Sequence, residues 1–322
     1  MSNYIEVKKA TAFVLYAVWQ RRKKFMQDYV ISCESTVDMP YSYISKRNIP
    51  VIFYSYSIND KEYVDDMLRT PDAMSDFYRQ IDDGKIPSTS QLNQSAYEEF
   101  FESLINMGNI MHISLGTGMT KSFQNARNAA LALMDKHPDR RIVVIDSLCS
   151  SSGYGMLVNY AADMKELGRT IDEVATWVEE HRQNIHHQFF STRLDFYRRS
   201  GRISGPTAMI ATIIGICPIM RLDDKGKIIA YSKVRGKNNA IKETLNAMQN
   251  HAVNGSQYNE KCYICHSNCL DEAVSVRDAI VKQFPNIDNS KIEIFDIGTI
   301  IASHCGPGTV AVFFLGDKRS AS

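Results

Sequence analysis

The run Arg141-Ile142-Val143-Val144-Ile145-Asp146 constrains the fold more than any other stretch. Four consecutive β-branched apolar residues leave no polar face, so a strand built from them is buried on both sides, as in a parallel sheet. The run stops at an acid, and Ser150-Ser151-Ser152-Gly153 then opens a helical stretch from Cys149 to Glu166. The same order recurs upstream. Tyr29 to Cys33, Val51 to Ile58 and Ile110 to Leu115 read as strands, and Met74 to Ile81, Tyr97 to Asn106 and Lys121 to Leu133 as helices. Strand, loop and helix alternate to about residue 183. That pattern predicts an α/β domain with a mostly parallel sheet.

Beyond Asp195 the texture changes. Ile219 to Val234 reads as two strands around Asp223-Asp224-Lys225-Gly226, a hairpin. Lys237 to Gln249 and Asp271 to Phe284 read as helices. Lys261 to Ser267, Lys291 to Ile297 and Val310 to Leu315 read as strands. A second α/β domain, with a mixed sheet and a hairpin, is expected there. The division expected is 1–27 as a helical extension, 28–185 as the first domain and 186–322 as the second. In the extension, Phe13, Tyr16 and Trp19 recur at near-helical spacing, and the apolar run Ala10 to Trp19 is too short to span a bilayer. Neither a signal peptide nor stable membrane insertion is expected.

A formal net charge of +1 gives no global field for nucleic acid. Seven scattered cysteines are an odd number, which fits reduced thiols in a cytoplasm. Cys262-x-x-Cys265-His266-x-x-Cys269 invites a zinc reading. However, residues three apart on a strand face opposite sides, so buried free thiols are the better expectation. Gly116-x-Gly118 lacks the third glycine of a dinucleotide loop, and Thr120 stands where a phosphate loop needs glycine before Lys121-Ser122. No nucleotide or other cofactor is expected.

Arg198-Arg199-Ser200-Gly201-Arg202-Ile203-Ser204-Gly205 sets three arginines and two serines in front of an almost uncharged run, Pro206 to Met220. Forked guanidinium donors suit carboxylate or phosphate. The stretch therefore fits a ligand with an anionic head and an apolar body, or else a solvated turn leading into a core helix. Met209, Ile210, Ile213, Ile214, Ile216 and Met220 are candidates to line a tunnel, with plain core packing as the alternative. Ser35, Thr36, Ser114, Thr117, Ser147 and Ser150 sit at strand ends, where ligands bind in such sheets and where helices are also capped. His304, ahead of Gly306-Pro307-Gly308, reads as a loop histidine at a site rim.

Seven stretches in order resemble the DegV family, which includes the fatty-acid-binding subunits of bacterial fatty acid kinase. They are Glu34-Ser35-Thr36-Val37-Asp38-Met39-Pro40, Thr89-Ser90-Gln91, Val144-Ile145-Asp146-Ser147 with Ser152-Gly153-Tyr154-Gly155, Arg199-Ser200-Gly201-Arg202-Ile203-Ser204, Ile216-Cys217-Pro218-Ile219-Met220, Val234-Arg235-Gly236-Lys237, and His304-Cys305-Gly306-Pro307-Gly308. The resemblance runs from about Tyr29 to Leu315. It implies two α/β domains of the DegV type, with a long-chain fatty acid buried between them. Thr89, Ser90, Ser114 and Thr117 would then serve the carboxylate. Arg202 and His304 would lie around the head group, and Arg199 and Arg235 with them on a rim facing an ATP-dependent kinase subunit. The chain would be a carrier, not an enzyme. An enzyme acting on a small carboxylate through His304, or a carrier of another amphiphile, are the alternatives. The chain departs from the family pattern at Glu34 (for aspartate), Leu115 (for a serine), Leu92 (for proline) and Asn238 (for lysine).

Overall fold

The computed structural model describes residues 28–203 and 215–321. The expected N-terminal helix and the tunnel candidates Met209, Ile210, Ile213 and Ile214 lie outside these. Among the described residues no helix is long and apolar enough to cross a membrane.

The first half is built on strands β1 (Tyr29–Glu34), β2 (Val51–Ile52), β6 (Asn109–Ser114) and β7 (Ile142–Asp146). They form one sheet in the order β2-β1-β6-β7, all parallel. Every residue of β1 and β6, the two central strands, is buried, polar Ser32, Glu34, Asn109, His112 and Ser114 included. Helices α1 (Tyr41–Ser45), α2 (Ala73–Asp82), α3 (Gln94–Leu104), α4 (Ser122–Lys136), α5 (Ser151–Glu166) and α6 (Ile171–His181) belong to this half. The start of α6 is fixed by a capping box between Thr170 and Glu173.

The run Val51 to Ile58 is not one strand. It breaks at Phe53-Tyr54, and β3 (Ser55–Ile58) leaves for a small antiparallel sheet with β4 (Lys61–Val64) and β5 (Pro87–Thr89). The cause is local. Tyr54 N–H donates to Ser35 Oγ (3.2 Å) and Tyr54 C=O accepts from Asp65 N–H, so neither is free for the ladder. Strand β5 fixes Thr89 opposite Tyr56.

The second half is a six-stranded mixed sheet. It comprises β8 (Ile185–Ser191), β9 (Ile216–Leu222), β10 (Ile228–Arg235), β11 (Cys262–His266), β12 (Ile292–Asp296) and β13 (Thr309–Leu315), in the order β10-β9-β8-β13-β11-β12. Only β11 and β12 are parallel. Strand β8 was not expected from its sequence, yet it is central. Helices α8 (Lys237–His251) and α9 (Leu270–Gln283) complete this half, with two short ones, α7 (Asp195–Arg199) and α10 (Thr299–Cys305). The β9–β10 turn packs against the first half so closely that a Cβ on Gly118 would lie 2.2 Å from the carbonyl oxygen of Gly226.

Candidate functional site

Between the two main sheets lies a cavity of about 310 Å³. Its apolar wall comes from both halves: Leu115 and Met119 from the first, and Phe189, Leu222, Ile228, Ile300, Ile301, Ala311 and Phe313 from the second. Its polar rim comprises Tyr54, Thr89, Ser90, Gln91, Thr120, Arg202 and His304.

His304 sits in the last turn of α10, not on a loop. Its Nε2 lies 2.8 Å from Thr89 Oγ1, which β5 holds in place, while Nδ1 is buried with no hydrogen-bond partner among the described residues. Burial, reinforced by the nearby charge of Arg202, pushes the imidazole down to about 4, so it is neutral at pH 7. Arg202 donates to Ser200 C=O (2.6 Å) and Met119 C=O (3.2 Å). No carboxylate among the described residues pairs with it, and burial lowers its pKa. The rim thus holds a partly desolvated cation with no countercharge among the described residues, which favours an incoming anion.

Two expected head-group residues lie elsewhere. Ser114 is fully buried and donates to Glu34 Oε1 (2.7 Å). Thr117 is exposed and donates to Asp146 Oδ2 (2.6 Å). Glu34 also accepts from Tyr97 OH (2.6 Å), Leu115 N–H (3.0 Å) and Tyr54 OH (3.3 Å), with His112 Nε2 3.5 Å away. Burial alone would raise the Glu34 carboxyl, but His112, Tyr97 and Ser114 outweigh it and hold the group below the usual range. The donors at the end of β6 are therefore engaged by the protein's own carboxylate. Tyr54 and Thr120, which the sequence reading missed, stand on the cavity instead.

Arg199 is exposed and lies 4.3 Å over the ring of Phe196, and Arg235 is exposed on β10, so neither lines the cavity. Met220 is buried in the core and Ile216 is half-buried, and neither faces the cavity. Cys262 and Cys265 point into different cores from opposite faces of β11, and the cysteines around them do not gather about one point. Cys265 and Cys305 line the cavity, and burial is the main cause that raises both thiols, Cys305 to about 12.

Fold and site define a two-lobed α/β protein with an apolar interlobe cavity and a cationic, hydroxyl-bearing rim. The family model "Uncharacterised protein, DegV family" matches residues 29–317, and the chain belongs to the DegV family. It is 33% identical to the DegV domain-containing protein CPE0026 of Clostridium perfringens over 297 residues, covering 91% of this chain and 99% of that protein. A DegV family protein from Thermus thermophilus described as binding fatty acid shares the fold with a TM-score of 0.79 at 22% identity, over 90% of this chain and 99% of that one. A stearic-acid-binding protein from Eubacterium ventriosum also gives 0.79, at 20% identity, over 89% and 98%.

Proposed function

We propose that the protein binds a long-chain fatty acid, with the alkyl tail in the interlobe cavity and the carboxylate at Arg202, His304 and Thr89. The observation that carries this is Arg202, a partly desolvated guanidinium without a described carboxylate partner at the rim of an apolar cavity. Fatty-acid binding by solved proteins of the same fold supports it. Each buried methylene contributes about 0.8 kcal/mol, so the tail supplies most of the affinity and the head sets orientation. Thr89, Ser90 and Gln91 lie at the rim, with Ser90 and Gln91 exposed, so a carboxylate held there faces solvent. From that position it is presented to an ATP-dependent kinase subunit for acyl-phosphate formation. Ser90, Arg199 and Arg235 are exposed and available to such a partner.

Catalysis by this chain through His304 has less support. Its bonded neighbour is Thr89, and the adjacent Cys305 thiol, pushed up to about 12, is not a thiolate at neutral pH.

Native mass spectrometry of the purified full-length chain tests the reading. One long-chain fatty acid per chain is expected, exchangeable with added fatty acid. A chain that neither retains nor takes up a fatty acid overturns it. ATP-dependent labelling of the bound acid by an added kinase subunit tests the presenting role separately.

A further inference from the structure

His186 and His187 are neighbours on β8 and so face opposite sides of the sheet. His187 lines the cavity, while His186 points away from it, toward the C-terminal tail. There its Nε2 lies 2.9 Å from Asp317 Oδ1 and 2.9 Å from the Asp317 carbonyl oxygen. His251, at the end of α8, places Nδ1 3.2 Å from each carboxylate oxygen of the same aspartate. The two imidazoles stack with 5.1 Å between centroids and 20° between planes, so both present nitrogen to one carboxylate. Among the described residues this is the group of three whose donor atoms all fall within 4.8 Å of one another.

We infer that His186, His251 and Asp317 form a binding site for a divalent transition-metal ion of the zinc class, on the side of β8 turned away from the cavity. Two imidazole nitrogens and a carboxylate oxygen are a donor set that zinc takes with bonds of about 2.0–2.2 Å, leaving a position for water. The Asp317 carbonyl is the further oxygen in reach. Access is open, because the side chains of His251 and Asp317 are 44% and 60% exposed.

A further observation supports the site. The residue before Asp317 is Gly316, and a Cβ there would meet the His251 carbonyl oxygen at 2.3 Å and the His186 ring at 2.7 Å. The tail therefore approaches both histidines as only a glycine allows. Without an ion, Nε2–H donates to the two Asp317 oxygens. With one, the proton moves to Nδ1 and Nε2 becomes the ligand.

The site also ties down a tail that crosses between the lobes. Two residues on, Arg319 donates through Nη2 to Leu148 C=O (2.8 Å) and Arg182 C=O (3.2 Å). This inference does not depend on the fatty-acid reading.

The test is calorimetric titration of chelator-treated full-length protein with Zn²⁺, alongside absorption spectroscopy with Co²⁺. One Zn²⁺ per chain is expected, uncompeted by excess Mg²⁺, which prefers oxygen donors. The Co²⁺ spectrum should be that of nitrogen and oxygen ligands without thiolate charge transfer. His251→Ala and Asp317→Asn, both at exposed positions, should each weaken Zn²⁺ binding at least tenfold with circular dichroism unchanged. His137→Ala, at a half-buried histidine 3.1 Å from Glu102, should not weaken it. Absence of stoichiometric Zn²⁺, binding that survives both site variants, or a thiolate band with Co²⁺ would each overturn the inference.

Discussion

His304 Nε2 and Thr89 Oγ1 are 2.8 Å apart across 215 residues of chain, and their bond joins the two lobes at the rim of the cavity. It sets the last turn of α10 against the end of β5. Arg202 lies close enough to both lobes to hydrogen-bond Met119 in one and Ser200 in the other.

Carboxylate binding should be linked to proton uptake at His304. In the free protein the imidazole titrates at about 4, because burial and Arg202 disfavour its charged form. A carboxylate at hydrogen-bond distance raises such a group by roughly 1–3 units. The complex then holds more protons than the free protein just above pH 4, and affinity rises as pH falls through that window. Titration calorimetry at pH 5.5 in buffers of different ionisation enthalpy measures the uptake. The wild type should take up protons on binding and His304→Gln should not. Equal uptake in both would remove His304 from the head group.

Arg202 and Arg235 should separate cleanly. Arg202 lines the cavity, and a charge-assisted hydrogen bond from it contributes about 1.5–3 kcal/mol. Arg202→Ala should therefore weaken fatty-acid binding roughly 10–100-fold. Arg235 is exposed on β10 and does not line the cavity, so Arg235→Ala should leave binding within about twofold. Fluorescence displacement of a bound acyl probe compares the two, and equal losses would refute the assignment.

How much of this was legible in the sequence depends on where each polar group finds its partner. The parallel strand β7 could be read from its four consecutive β-branched apolar residues, although Val143 and Val144 are half-buried, and β6 from Ile110-Met111 and Ile113. Strand β8 could not, because Ile185-His186-His187-Gln188 looks polar. Its polar groups are satisfied individually. His187 Nδ1–H donates to Ile185 C=O (3.0 Å), His187 Nε2 accepts from Ser150 N–H (3.1 Å), and Gln188 accepts from Tyr231 OH (2.9 Å). Partners met one by one in this way leave no periodic trace. The same holds at the rim. Thr89, Ser90, Arg202 and His304 do meet at the cavity, while Ser114 and Thr117 are drawn off by Glu34 and Asp146. The glutamate in place of the family's aspartate was visible, but its reach to the end of β6 was not.

The contact between Gly118 and Gly226 should be intolerant of any side chain. A Cβ at Gly118 would sit 2.2 Å from the Gly226 carbonyl oxygen and 2.8 Å from that of Lys225, both backbone atoms that cannot rotate away. Gly118→Ala must push the β9–β10 turn off the first lobe. Overpacking of this kind costs about 1–3 kcal/mol. Thermal unfolding should show a lower Tm, and ligand binding should weaken with it, since Met119, Leu222 and Ile228 flank the contact and line the cavity. An unchanged Tm would mean that the turn does not brace the lobes.

Asp65 should make the fold less stable as pH rises. It is 2% exposed. Oδ1 accepts from Thr299 Oγ1 (3.0 Å), and Oδ2 is buried with no hydrogen-bond partner among the described residues. Burial, only partly offset by hydrogen bonds from Ser35 and Thr299, raises it from 3.8 to about 6. Nearby Asp38 is also raised, mainly by burial. A carboxyl raised in the folded state contributes stability that is complete below its unfolded pKa and lost as pH climbs through the folded one. For Asp65 that window runs from 3.8 to about 6. His187 and His304 are lowered by burial and give the opposite trend, so the net curve of the wild type does not isolate the effect. The difference between Asp65→Asn and wild type does, because the histidines are common to both. Asparagine keeps the acceptor for Thr299 and never ionises. Urea unfolding at pH 4 and pH 7 should show the stability gap moving in favour of the variant by on the order of 2–3 kcal/mol. A gap independent of pH would mean that Asp65 carries the same charge at both.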